Sequence, residues 1–212
     1  MEQTIKILIY THAIFGGIGL FTGLISFFAK KGKTTHIKAG KIFSYSMLIS
    51  ALISLVVSRL PHHENIFLFL NGIFTIYMIL SGNRALTLKS KIKSKAEWID
   101  KTISGSMLLT SIVMITIGII GIIQKTDNSI LYVFFGAFGC FMTLKDFQNF
   151  KQFTKKKNAW LISHLGRMIG ALIASFTAFL VAGLQIGTIF VWITPTIIGT
   201  SYIIYWSRKF KS

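Results

Sequence analysis

His164 and Arg167 stand three residues apart inside one apolar stretch, Ala159 to Gly183. Coiled as a helix at ~1.5 Å per residue, that stretch crosses the ~30 Å hydrocarbon core of a bilayer. The spacing puts both side chains on neighbouring parts of one helix face. A guanidinium roughly 12 Å below the membrane surface is costly unless it finds a partner inside a bundle. An imidazole beside it can ligate iron or another metal, or hold a hydrogen bond. Asp146 is the only acidic residue near the inner end of this span, so it is the obvious partner for Arg167. Helix-end carbonyls, or an anionic cofactor group such as a propionate or phosphate, are the alternatives.

The other histidines extend the same question. His12, Gly16, Gly19, Gly23 and Ser26 follow a 4-3-4-3 spacing along one stripe of the first apolar run. That stripe suits a close helix contact with the histidine hydrogen-bonded to a neighbour. It also suits a ligand histidine above a groove wide enough for a flat cofactor. His62 and His63 follow Pro61 in a short connection, as a solvated turn or as groups available to a site shared with His12. His36 lies among lysines in KKGKTTHIKAGK. By depth, His12 is roughly 9 Å below one surface and His164 roughly 8 Å from the other, leaving about 13 Å between them. The two cannot share one iron. Pairing His12 with His62 or His63, and His164 with His36, would give two stacked haems with Arg167 on a propionate. Two other functions use the same residues. One is a transporter or channel for a small molecule, lipid or anion, built on His164 and Arg167. The other is a structural or interaction subunit whose polar groups fix helix packing.

Enzymatic activity is left open. H-E-x-x-H, G-x-x-x-x-G-K-[ST] and H-x-x-x-H are all absent, and no nucleophile–base pair is visible. No lysine sits inside the seventh span for a retinal Schiff base. The spans themselves lack two acidic residues for a proton or cation relay, which weighs against a cation-coupled pump.

The elements that must position these groups are seven apolar spans, about 6–28, 40–60, 66–86, 102–123, 129–145, 159–183 and 186–206. The expected fold is all-α, a seven-helix transmembrane bundle in a single integral membrane domain. The connections after spans one, three and five, and the tail, hold 5, 6, 5 and 3 basic residues, against 1, 1 and 0 in the others. By the positive-inside rule the N-terminus is outside and the C-terminus cytoplasmic. The first run is too long for a signal-peptide core and is read as an uncleaved span. Ser46, Ser50, Ser54 and Ser58 form a hydroxyl stripe that faces other helices and back-bonds to its own carbonyls. Gly166, Gly170, Ala174, Ala178 and Ala182 form a small-residue ridge suited to close helix packing. Arg84, at an inner helix end, can snorkel. The lysine-rich connection 87–101 reads as an interfacial or short helical segment.

Composition agrees. The chain is 52% apolar with six acidic residues and a net charge of +17. The cations sit in connections beside the spans, where they set orientation and can meet anionic lipid headgroups, so nucleic-acid binding is not indicated. Cys140 stands alone, which excludes an internal disulfide. Self-association is left open.

Several segments together resemble a known family. They are His12, Gly16 and Gly23 followed by Lys31, Gly32, His36 and Gly40, then SGNRAL at 81–86, GAFGCFMTLKDF, and WLISHLGRMIGALIASFTAFLV at 160–181. The chain resembles a bacterial multi-pass membrane family catalogued as domain of unknown function 2306, with Trp160, His164, Arg167, Met168, Gly170 and Phe179 as its sharpest part. The resemblance implies a polytopic protein of the bacterial cytoplasmic (inner) membrane and supplies no activity.

Overall fold

A computed structural model describes residues 2–89, 96–150, 158–186 and 188–211. The described residues form seven α-helices and no strand. These are α1 (Glu2–Phe28), α2 (Thr34–Val57), α3 (Ile66–Thr87), α4 (Trp98–Ile123), α5 (Ser129–Phe150), α6 (Ala159–Ala178) and α7 (Ile189–Lys211). A single π-helical turn, Phe179–Gly183, extends α6. Helices α1 to α6 are long and apolar enough to cross a membrane, and the chain is a multi-pass membrane protein by that architecture. Helix α7 falls outside that set: it carries Pro195, and its last turns hold Tyr202, Tyr205, Trp206, Arg208 and Lys209, an aromatic and cationic end of the interfacial kind.

The helices pack mainly as two neighbouring pairs, α1 on α2 and α4 on α5, with α3 lying against α2, α4 and α6. Helix α7 packs on α6 and touches α1 through Phe27 and Tyr202. The core is built from Phe43, Met47, Phe74, Tyr77, Met78, Met107, Met142 and Leu172. In four places a methionine fills the notch of a glycine on a facing helix: Met47 at Gly19, Met168 at Gly82, Met107 at Gly139 and Met78 at Gly170. A thioether bends to fit such a notch better than a branched side chain does.

Contacts show that the ends alternate. Ser26 of α1 meets His36 of α2, Lys89 after α3 lies over Trp160 of α6, and Asn158 before α6 donates to the Phe210 carbonyl of α7. One end of the bundle therefore gathers Lys31, Lys89 and Lys209. Lys91, Lys93, Lys95, Lys151, Lys155, Lys156 and Lys157, and the middle of the 87–101 connection, lie outside the described residues.

Two boundaries differ from the hydropathy reading in a way that matters. Helix α4 starts at Trp98 rather than 102, because Glu97 and Asp100 form a capping box that satisfies its first backbone N–H groups. Helix α5 runs to Phe150 rather than 145. Asp100 and Asp146 thus both lie inside helices, at 5% and 4% exposure. The expectation that the spans hold no pair of acidic residues is corrected by this.

Candidate functional site

Four helices each bring two residues, one turn apart, to the same place near the lysine-rich end. They are Ser81 and Ala85 on α3, Asp100 and Ser104 on α4, Asp146 and Phe150 on α5, and Ser163 and Arg167 on α6. An interval of four puts both members of each pair on one face. All of these except Arg167 line one small cavity, together with Arg84, Leu88 and Ile103. The cavity measures about 20 Å³ of space open to the centre of a water molecule, room for one water.

Ion pairs flank it on two levels. At the mouth, Arg84 donates through Nε to Asp100 Oδ1 at 2.5 Å, and through Nη2 to Asp100 Oδ2 at 3.1 Å and Glu97 Oε2 at 2.7 Å. Asp100 is buried, whereas Glu97 is 41% exposed. Arg84 thereby ties α3 to α4 instead of only reaching for the membrane surface. Deeper in, Arg167 donates through Nη2 to Asp146 Oδ1 at 2.5 Å and to the Met142 carbonyl at 2.9 Å. The second carboxylate oxygen of Asp146 accepts from Tyr77 Oη at 2.6 Å and from Ser104 Oγ at 3.0 Å. The Tyr77 ring also covers the guanidinium, 5.4 Å from its centroid to Arg167 Cζ.

The structure brings Arg167 and Asp146 together, and both are about 6% exposed. Extending α5 past residue 145 lets the carboxylate meet the guanidinium inside the bundle. One donor is left over: Arg167 Nε is buried with no acceptor among the described residues. An unmet buried N–H costs free energy, so it marks a place where an acceptor belongs.

The histidines are held in one common way. The Nδ1 atoms of His12, His36 and His164 lie 2.9, 3.0 and 2.8 Å from the carbonyls of Ser50, Ser26 and Gly82. A carbonyl only accepts, so each Nδ1 carries a hydrogen, and in the neutral ring the lone pair is then on Nε2. His12 is not brought to His62 or His63, which are exposed in the turn after α2, with His62 at φ 64°.

The glycine stripe of α1 is a helix contact. A Cβ on Gly19 would meet Met47, one on Gly23 would meet Phe43 and Leu172, and one on Gly16 would meet Ser50. Of the two uses of that stripe, the close helix contact is the one seen here. The α6 ridge is narrower than its spacing suggests. Gly170 is buried against Met78, but nothing lies within 4 Å of a Cβ on Gly166, and Ala178 is exposed. The serine stripe of α2 does face inward, with Ser54 and Ser58 back-bonding to Ala51 and Leu55.

Asp100, Tyr77 and Ser104 are site residues that the sequence reading passed over. Asp100, Ser104 and Ser111 recur at helical spacing on the opening face of α4, which was the available signal. Tyr77 had none, because a tyrosine in an apolar helix reads as packing. No protein-family model matches the chain, and no curated protein or solved structure is similar to it.

Proposed function

We propose that the chain is a membrane transport protein that takes a small anionic solute at Arg167. The observation that carries this reading is the buried Arg167 Nε–H without an acceptor, beside a polar cavity to which four helices contribute. Ionisable groups inside a membrane bundle are costly and mark solute or ion pathways more often than packing. A guanidinium with an idle donor suits a carboxylate or another oxyanion. His164 lies one turn away on the same helix, and its Nε2 lone pair can accept from a hydroxyl on the solute.

The lysine-rich end is assigned to the cytoplasm by the positive-inside rule, with the N-terminus outside. Its lysines then face anionic headgroups. Membership of the domain of unknown function 2306 family and a bacterial inner-membrane location are part of the same proposal and rest on the sequence resemblance.

The test is tracer uptake of acetate, lactate, nitrate and phosphate into proteoliposomes. Uptake of at least one, lost in Arg167→Gln, is expected. Uptake unchanged in Arg167→Gln overturns the reading.

One observation favours a second reading, a single haem at the inner level. His36 and His164 both have Nδ1 anchored on a carbonyl and no Nε2 partner among the described residues, the orientation that ligating histidines adopt. A visible spectrum of protein expressed with ample haem separates the two. A Soret band lost in His36→Ala and in His164→Ala belongs to the haem reading, and colourless folded protein ends it.

A further inference from the structure

We propose that solute and proton bind together: an anion that takes Arg167 releases Asp146, which then accepts one proton through the cavity. This rests on the reading of Arg167 as the solute site. The starting point is that Arg167 has one ionic partner. Its Nη2 serves Asp146 and the Met142 carbonyl, while its Nε–H has none. A solute oxyanion drawn to that idle donor competes with Asp146 for the same guanidinium. If it wins, Asp146 keeps only the Tyr77 and Ser104 hydroxyls. A carboxylate stripped of its cation in an apolar interior favours the neutral acid.

The groups around Asp146 allow that proton to arrive. Tyr77 faces it from α3, Ser104 from α4 and Arg167 from α6. Arg84 and Asp100 face it across the cavity, and Lys145, its neighbour on α5, lies against the Phe141 ring instead. The cavity, lined by both Asp100 and Asp146, has room for one water. Arg84 on its lining is paired with Glu97, which is 41% exposed. On the far side Phe74, Met78 and Met107 are 1%, 0% and 0% exposed and form an apolar plug. The proton therefore enters from the lysine-rich side and stops at Asp146, as coupling requires and a leak would not.

The charges balance. Before binding, Arg167 and Asp146 cancel. Afterwards Arg167 cancels the anion, and Asp146 is neutral with its added proton. One anion and one proton enter as an electroneutral pair, so the low-dielectric interior never holds an uncompensated charge.

Two measurements test this, and the first needs no solute. Arg167→Gln removes the cation permanently, so Asp146 should carry a proton at neutral pH. The infrared spectrum of that variant should gain a protonated-carboxyl band that is absent from the unaltered protein and from Arg167→Gln/Asp146→Asn. No such band overturns the coupling, whatever the protein transports. The second follows proton uptake with a pH indicator as acetate, lactate, nitrate or phosphate is added to weakly buffered protein. One proton per bound anion is expected, falling to none in Asp146→Asn while the anion still binds. Anion binding without proton uptake overturns the proposal but leaves the solute site standing. If none of the four binds, the solute reading falls, and the infrared band alone decides whether Asp146 answers to Arg167.

Discussion

Asp146 accepts from three side chains on three different helices, so its removal is the severest single change at the site. Replacing it by alanine leaves Arg167 buried and unpaired, a loss of about 3–5 kcal/mol. Tyr77→Phe removes one hydrogen bond to a charged acceptor, about 1.5–3 kcal/mol, and keeps the ring over the guanidinium. Unfolding of the two variants in mixed detergent should rank them in that order. Equal losses would contradict that ranking, and no loss in Tyr77→Phe would mean that Tyr77 matters through packing alone. Glu97→Gln should be nearly silent in the same assay, because an exposed ion pair is worth little. At this scale the sequence was partly legible. Arg167 looked for an acid, and Asp146 was the one at hand. Tyr77 and Ser104 were hidden because a phenol and a hydroxyl in an apolar helix carry no mark of what they touch.

At the scale of the elements, glycines record which helix faces meet. A side chain on Gly170 would collide with Met78 of α3, whereas Gly166 has open space around it. Gly170→Leu should therefore lower stability or yield far more than Gly166→Ala or Leu180→Ala, by ~1–3 kcal/mol of overpacking. Tolerance of Gly170→Leu would mean that α3 and α6 are not in contact there. Seven helices could be read from apolar runs, and six of them are long and apolar enough to cross a membrane. Their ends could not. Hydropathy stops at the first charge, whereas a helix continues until its backbone groups are capped, so Asp100 and Asp146 fell outside the spans drawn for α4 and α5. The error hid Asp100, although Asp146 was still recognised as the acid nearest Arg167. The α1 stripe was legible as a contact face, but glycine spacing alone does not say what covers it. Here α2 does.

At the scale of the whole molecule, one end gathers charge and the other does not. A reporter active only in the cytoplasm should work when fused after Ser212 and in the connections near residues 33, 93 and 155, and stay silent near 63, 126 and 185. Silence at the C-terminus with activity at 155 would mean that α7 does not cross, the helix whose composition is least suited to it.

The same end holds the polar site, and the central claim is that its buried charges serve transport rather than packing. Stability and transport separate in the variant Arg167→Met/Asp146→Leu/Tyr77→Phe, which removes the ion pair together with the phenol that Asp146 accepts from. Replacing a buried ion pair by apolar groups of similar volume is often neutral or stabilising, so the variant should fold and unfold within ~1 kcal/mol of the unaltered protein. The decisive measurement is tracer uptake by proteoliposomes of that variant, using whichever of the four anions the unaltered protein carries. The account predicts folded protein with no uptake above empty vesicles. Uptake at the unaltered rate would contradict it and leave Arg167 and Asp146 as a device for holding helices together.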